Sequence, residues 1–403
     1  MGEIQDPASQ QGIDQALVVV MRAPRSYTRE DVVEFQFHGG VLLAQKIVEL
    51  CLREGARLAH PGEFTQRAFL NGRIDLTQAE AVAEIVGARS QRALELAHRN
   101  LKGNLRDKIK SWQKTLLAIE ASIQAQCDFL HSEEMANDYL AELQSLYREM
   151  EAEVKKSEKL RPFQQGATVA IVGKPNTGKS SLLNQVAGRE KAIVTSFPGT
   201  TRDAIEESLI YQGTPLRLID TAGLRESQEE VEWLGIEKTK KIIHESDFIL
   251  ALLDQSQPLS AEDWQLLELI QNRPHFLVLN KIDLPPKIEL SSLKRTFPEE
   301  EFQRISALSG EGVEALLDKL VLKVRNIFSF EGEAYLLTLR QQAEIKKTLR
   351  LIEEAWQSQK EGLTLDVLGL LIEEALKTLM RLTGESWDKR LLESIFSQFC
   401  LGK

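Results

Sequence analysis

Cysteine is scarce in this chain: 403 residues hold three, Cys51, Cys127 and Cys400, each far from the next. Such spacing offers neither a disulfide framework nor the paired ligands of a zinc site, and it fits a reducing compartment. Long apolar runs are missing too. No stretch approaches the ~20 residues that cross a bilayer, and the polar opening Met1-Gly2-Glu3-Ile4-Gln5-Asp6 has no signal-peptide pattern, so the expectation is a cytoplasmic protein with no membrane contact. Nor is there an excess of positive charge. Fifty Lys and Arg against 60 Asp and Glu leave a formal charge of −10, which excludes an extended basic footprint on nucleic acid; any such contact has to be local or made through a partner. Internal repeats and low-complexity tracts are absent as well. What remains, 27% charged and 42% hydrophobic residues, is the balance of a soluble globular chain whose length suggests two or three domains.

The strongest local signal lies near the middle. Thr168-Val169-Ala170-Ile171-Val172 reads as a buried strand, Gly173-Lys174-Pro175-Asn176-Thr177-Gly178-Lys179-Ser180 follows, and Ser181-Leu182-Leu183-Asn184 is helical. This is the phosphate-binding pattern G-x-x-x-x-G-K-S between the strand and helix that confirm it. The glycines let backbone N–H groups converge on an anion, Lys179 reaches the β- and γ-phosphates, and the Ser180 hydroxyl ligates Mg²⁺. Gly173, Asn176, Thr177, Gly178, Lys179, Ser180 and Ser181 are therefore the candidate phosphate contacts.

Further motifs follow in a fixed order. Asp220-Thr221-Ala222-Gly223 ends the strand Leu216-Arg217-Leu218-Ile219, placing a carboxylate at the Mg²⁺ shell and a glycine N–H near the γ-phosphate. Thr200 and Thr201, within Gly199-Thr200-Thr201-Arg202-Asp203, are placed to close over the metal, with Thr201 as a second Mg²⁺ ligand. Asn280-Lys281-Ile282-Asp283 follows the strand Phe276-Leu277-Val278-Leu279. The Asp283 carboxylate accepts from the N1–H and 2-amino group that guanine has and adenine lacks, so the nucleotide is expected to be GTP. Ser306-Ala307-Leu308 supplies a second turn under the base.

Patterning around these motifs gives the organisation. Strand-like runs at Ala204 to Tyr211, Leu216 to Ile219, Phe248 to Leu253, Phe276 to Leu279 and Phe302 to Ile305 alternate with helical stretches, predicting a mostly parallel, doubly wound α/β domain over 165–330. Helical spacing runs through Ala79 to Leu101, Leu105 to Phe129 and Asn137 to Leu160, and returns from Tyr335 to Gln359, Leu363 to Leu382 and Asp388 to Phe399. The α/β domain is thus expected to be inserted into an all-α domain formed by 67–164 and 331–403. Residues 1–66 read as a small, incomplete N-terminal α/β domain with strands at Gln15 to Met21 and Asp31 to Phe37, a helix from Val41 to Arg53, and a thin core.

The order GxxxxGKS, GTTRD, DTAG, NKxD and SA resembles translation-factor-related GTPases. Beyond that domain, Pro61-Gly62-Glu63-Phe64-Thr65, Arg67-Ala68-Phe69-Leu70-Asn71-Gly72-Arg73-Ile74-Asp75-Leu76 and the terminal Phe399-Cys400-Leu401-Gly402-Lys403 resemble the MnmE (TrmE) family of tRNA-modification GTPases, over essentially the whole chain. The resemblance implies a homodimer whose nucleotide domains meet face to face, with K⁺ in place of an arginine finger. It assigns K⁺ to Asn176 and to the segment Ala192 to Thr201, including Thr195, Phe197 and Thr200. It makes Glu232 the carboxylate that positions attacking water, which Leu224, standing where Ras-type enzymes carry Gln, cannot do. It also implies a tetrahydrofolate one-carbon donor held by Glu34, Arg73 and Lys403, with Cys400 at the chemistry; Arg73 stands where a Lys is often found, which changes donor geometry. The implied activity adds a carboxymethylaminomethyl or aminomethyl group to the tRNA wobble uridine with an FAD-dependent partner of the MnmG (GidA) family. Without the resemblance, Glu232 reads as a solvated charge at a helix start and Cys400 as a small buried hydrophobe. Family members begin with several dozen further residues, including a Gly-rich segment and a folate-contacting Arg, and Met1-Gly2-Glu3-Ile4 aligns inside their N-terminal domain, so folate binding is expected to be impaired. The competing reading is an Era- or EngA-like switch in ribosome assembly, which predicts a basic RNA-binding module beside the nucleotide domain.

Overall fold

The computed structural model describes all residues except 129–137, 189–192, 195–204, 221–231, 299–300, 329–333, 363, 398, 400–401 and 403. The chain divides into two compact units, one formed by 1–87, 95–155 and 335–403 and the other by 88–94 and 156–334.

The first unit begins with a three-stranded antiparallel sheet of β1 (Gly2–Gln5), β2 (Gly12–Met21) and β3 (Val32–Gln36), in which Leu17 to Met21 pair with Gln36 to Val32. Helix α1 (Val41–Arg53) follows. Of the apolar residues in 1–60 only Ala16, Ile47 and Leu50 are buried, which is the thin core the sequence suggested. Helix α2 (Glu63–Leu70) starts at Gly62, whose φ of +68° is left-handed and whose missing Cβ would stand 2.9 Å from the Phe396 carbonyl oxygen. Only glycine fits there without strain. Its first residue, Glu63, accepts from Arg57, from the His60 N–H and from Arg67; the Arg57 guanidinium does most to hold its carboxyl far below the usual range.

Asp75 opens α3 (Leu76–Gly87) by accepting from the Thr77 and Gln78 N–H groups at 2.7 and 3.1 Å. The run Ala79 to Leu101 is not one helix. It stops at Gly87 and restarts as α4 (Gln91–Leu101), where the Ser90 hydroxyl accepts from the Ala93 N–H and donates to the Phe163 carbonyl; serine prefers this N-terminal position because it satisfies a donor the helix cannot. Long helices α5 (Asn104–Asp128) and α6 (Asp138–Gln165) come next, the latter running through Pro162.

The second unit is built on a seven-stranded sheet. In chain order its elements are β4 (Ala167–Val172), α7 (Lys179–Ala187), β5 (Ile193–Val194), β6 (Ile205–Tyr211), β7 (Thr214–Asp220), α8 (Glu232–Glu245), β8 (Phe248–Asp254), α9 (Ala261–Ile270), β9 (His275–Asn280), α10 (Leu290–Thr296), β10 (Gln303–Arg304) and α11 (Val313–Ile327). The strand order β10-β9-β8-β4-β7-β6-β5 is parallel from β10 through β7, whereas β6 and β5 run antiparallel. Both faces are covered, which explains the unbroken apolar run of β8: Phe248, Leu250 and Leu252 enter one core with α7 and α11, and Ile249, Ala251 and Leu253 enter another with α9 and α10. Because α7 follows β4 directly, the loop between them opens at the carboxyl ends of the parallel strands, where open α/β sheets bind ligands.

Past this unit the chain adds α12 (Leu339–Lys360), α13 (Leu365–Thr383) and α14 (Lys389–Phe396) to the first. Ile345, Leu349 and Ile352 of α12 and Leu368, Ile372 and Leu379 of α13 share one core with Leu105, Trp112 and Leu116 of α5 and Leu143 and Met150 of α6. An ion pair ties the two flanks: Glu80 of α3 accepts from Arg340 Nε and Nη2 at 2.7 Å each and from Gln341 Nε2 at 2.5 Å. No described helix is long and apolar enough to cross a membrane.

Candidate functional site

The residues from Gly173 to Ser180 form a tight loop between β4 and α7. A Cβ on Gly173 would stand 2.5 Å from the Leu252 carbonyl oxygen, and one on Gly178, at φ +96°, would stand 2.2 Å from Asn280 Nδ2. Both glycines are therefore fixed by the close approach of neighbouring strands, which narrows the loop into a cradle of N–H groups at the start of a helix. Lys179, almost wholly buried, donates from Nζ to the Gly173 and Lys174 carbonyls at 2.8 Å. That grip holds a cation within the loop. The Thr177 hydroxyl donates to the Lys174 carbonyl at 2.8 Å and stiffens the same turn. Asn176 is exposed and adopts φ +63°, which asparagine tolerates better than most residues. Ser181, the next residue of α7, is also exposed.

Asp220 ends β7 fully buried, and the Ser180 hydroxyl donates to its Oδ2 at 2.9 Å. A hydroxyl and a carboxylate oxygen side by side, next to a phosphate cradle, are the hard donors that Mg²⁺ prefers. The site thus fits the metal, with Ser180 as ligand and Asp220 beside it.

The residues expected to meet the base come together from three strand ends. Asn280 is buried; its Nδ2 donates to the Thr177 carbonyl at 2.7 Å, and its Oδ1 accepts from the Ala307 N–H at 2.9 Å. One side chain thereby joins the phosphate loop, the β9 end and the turn after β10. Ser306, fully buried, donates to Asp283 Oδ1 at 2.6 Å, orienting an otherwise exposed carboxylate. Lys281, at φ +66°, donates from Nζ to Asp254 Oδ2 at 2.6 Å. Burial opposes ionisation of Asp254, but hydrogen bonds from Lys281 and Ser256 outweigh it and hold the carboxyl below its ordinary value. Leu308 is 84% exposed, an apolar surface beside the place a base would lie.

Two supports are not evident in the motifs. Asp254, at the end of β8, belongs to no motif, and Lys174 passes for a variable loop position. In the structure Lys174 Nζ donates to Ser260 Oγ at 2.9 Å and pairs with Asp263 Oδ2 at 2.5 Å, the two side chains that cap α9 reciprocally. The signal was present, since Ser260-Ala261-Glu262-Asp263 before an apolar run is a capping-box pattern; its pairing with Lys174 is tertiary and has no local signature.

Several expected site residues lie outside the described residues: Thr195, Phe197, Thr200, Thr201, Thr221, Ala222, Gly223, Leu224, Cys400 and Lys403. Of Ala192 to Thr201 only Ile193 and Val194 are described, and Glu232 is described only as the first residue of α8. In the first unit Glu34 is exposed on β3, while Arg73 donates to the Ser26 carbonyl and lies over the Tyr27 ring at 5.3 Å; no hydrogen bond or ion pair joins Glu34 to Arg73.

Comparison with known proteins agrees along the chain. Residues 1–73 match the family model described as the GTP-binding protein TrmE N-terminus, and residues 76–400 match that of the MnmE helical domain. A tRNA modification GTPase MnmE of Thermotoga maritima is 41% identical over 97% of this chain and 88% of its own length. That of Syntrophobacter fumaroxidans is 42% identical over 100% and 88%, and that of Enterococcus faecalis 40% identical over the same shares. Among solved structures, the G domain of the T. maritima FeoB iron transporter aligns at 28% identity over 39% of this chain and 98% of its own, with a TM-score of 0.30.

Proposed function

This chain belongs to the MnmE family of tRNA modification GTPases, and from that premise we propose that it hydrolyses GTP to control modification of the tRNA wobble uridine. The observation that carries the nucleotide half is the Asn280 bridge, which fixes the phosphate loop to the segment presenting Asp283. Asp283 accepts from guanine N1–H and the 2-amino group, and Leu308 covers the ring. Lys179 exchanges its two loop carbonyls for phosphate oxygens, and Ser180, with Thr201, holds Mg²⁺. When bound, Mg²⁺ offsets charge on the transferring phosphoryl group.

Leu224 cannot orient water, so the reading gives that task to Glu232 and the missing positive charge to K⁺, for which the exposed Asn176 carboxamide, with Thr195, Phe197 and Thr200, is the donor set. These K⁺ ligands serve a face-to-face contact of two nucleotide domains in a homodimer. GTP turnover is expected to be several-fold faster in K⁺ than in Na⁺ at matched ionic strength, and Glu232→Gln should lower kcat while sparing GTP affinity. Equal rates in the two salts would remove K⁺ from the mechanism.

The modification half adds a carboxymethylaminomethyl or aminomethyl group in the cytoplasm, with an FAD-dependent partner of the MnmG family. Glu34 suits the N–H edge of a tetrahydrofolate pterin and Arg73 suits its carboxylate tail, with Lys403 and Cys400 completing the site; calorimetric titration with a tetrahydrofolate derivative checks this. Nucleoside analysis of tRNA from cells lacking the protein tests the whole reading. An unmodified wobble uridine is the expected result, and fully modified tRNA would favour an Era-like assembly switch instead.

A further inference from the structure

In a chain of net charge −10, any direct contact with RNA has to come from a local feature, and the helical unit holds a candidate. A cleft of about 370 Å³ is lined by Gly72, Arg73, Asp75, Arg106, Lys110 and Trp387, a size that suits one small organic group. Its aromatic wall follows from a glycine. Gly384 ends α13 at φ +80°, and a Cβ there would lie 2.6 Å from the Phe69 ring, so the turn after α13 folds directly onto Phe69. Trp387 then meets Phe69 nearly edge-on, with centroids 6.2 Å apart, yet stays 47% exposed. A large ring is thus held at one side and left open at the other.

Helix α5 supplies the cations. Arg106 and Lys110 are four residues apart and share a face. Arg106 donates from Nε to Asp107, while its terminal nitrogens make no hydrogen bond to the described residues; Lys110 is exposed and has no hydrogen bond or ion pair among them. The floor carries an acceptor: Asp75 Oδ1 is occupied by the α3 N-terminus, whereas its buried Oδ2 has no hydrogen-bond partner. An open ring, a guanidinium paired with Asp107 through Nε alone, an unpaired lysine and an unsatisfied acceptor are the complement of a planar base with N–H donors and flanking phosphates. Single-stranded RNA is recognised in this way, by stacking unstacked bases on aromatic or guanidinium planes.

We propose that this cleft takes one unstacked nucleotide of the RNA substrate, with Trp387 stacking the base and Arg106 and Lys110 holding its phosphates. The inference rests on the tRNA reading given above. It is tested by binding of a labelled tRNA anticodon stem-loop to the full chain at two salt concentrations. Trp387→Ala is expected to weaken binding about tenfold and Trp387→Phe about twofold at most, since phenylalanine keeps the stacking face. Lys110→Gln, at an exposed position that cannot disturb the core, should weaken binding about threefold and reduce the salt slope by roughly 0.7. GTP turnover should stay unchanged in all three. If every variant binds like the parent protein, or the parent protein binds no RNA at low salt, the cleft is wrong; the tRNA reading fails only if the nucleoside analysis finds fully modified tRNA. Displacement of RNA by a tetrahydrofolate derivative whose own affinity falls in the same variants would give the cleft to a small ligand and overturn the proposal.

Discussion

Replacing Asp283 by asparagine is expected to weaken GTP binding at least about a hundredfold and to let the chain accept xanthosine triphosphate. Two hydrogen bonds from guanine to a charged acceptor are lost or inverted, each worth roughly 1.5–3 kcal/mol. Ser306 remains able to donate to the amide oxygen, as it does to Asp283 Oδ1 now, so the new side chain should keep its orientation and turn its NH₂ toward the base. Xanthine carries an oxygen where guanine has the 2-amino group, and that oxygen accepts from the amide. Fluorescence titration with both nucleotides reads the exchange; an unchanged GTP affinity would remove Asp283 from base recognition.

Glu80→Ala is expected to cost the helical unit about 3 kcal/mol. Only 7% of the Glu80 side chain is exposed, and Arg340 grips both its oxygens. Removing one partner of such a pair leaves the other's charge uncompensated, at about 3–5 kcal/mol. The lower figure applies because 19% of the Arg340 side chain still meets water, although its Nη1 already lacks a partner. Each unit has its own core, so two calorimetric transitions are expected, of which only the one that added GTP does not raise should fall, by roughly 6–12 °C. Glu80→Leu combined with Arg340→Met should recover much of the loss. An unmoved transition in Glu80→Ala would show that water replaces the carboxylate.

The parts legible in the sequence share a physical character. Strand β4, the loop to Ser180 and α7 are contiguous, so spacing alone fixed their geometry, and α1 was read with its observed bounds. Polar β1, with the sequence Gly-Glu-Ile-Gln, gave no alternation to detect; pairing with β2 makes it a strand. The break between α3 and α4 is hard to see because apolar residues recur on both sides of Gly87; in the structure α3 ends there, and the Ser90 hydroxyl starts α4 by accepting from the Ala93 N–H while donating to the Phe163 carbonyl. At the site, Asn280, Asp283 and Ser306 were readable as motifs. The bridge from Asn280 to the Thr177 carbonyl and the Ala307 N–H was not, and nor was the pairing of Lys174 with Asp263, because these groups meet only through the fold.

The shared core of α5, α6, α12 and α13 also sets an order of events at the ribosome. Val154 and Leu337 belong to one apolar cluster but emerge some 180 residues apart, which at roughly 5–20 residues per second is an interval of about 10–40 s. Through it the apolar faces of α5 and α6 wait uncovered while the strands of the nucleotide unit, from β4 to β10, are made one after another and completed before Leu337. That unit can finish folding and take up nucleotide before its host has a core. The exposed helical hairpin is then the nascent chain's principal claim on a holding chaperone, and a pause in translation before Leu337 would lengthen that claim directly.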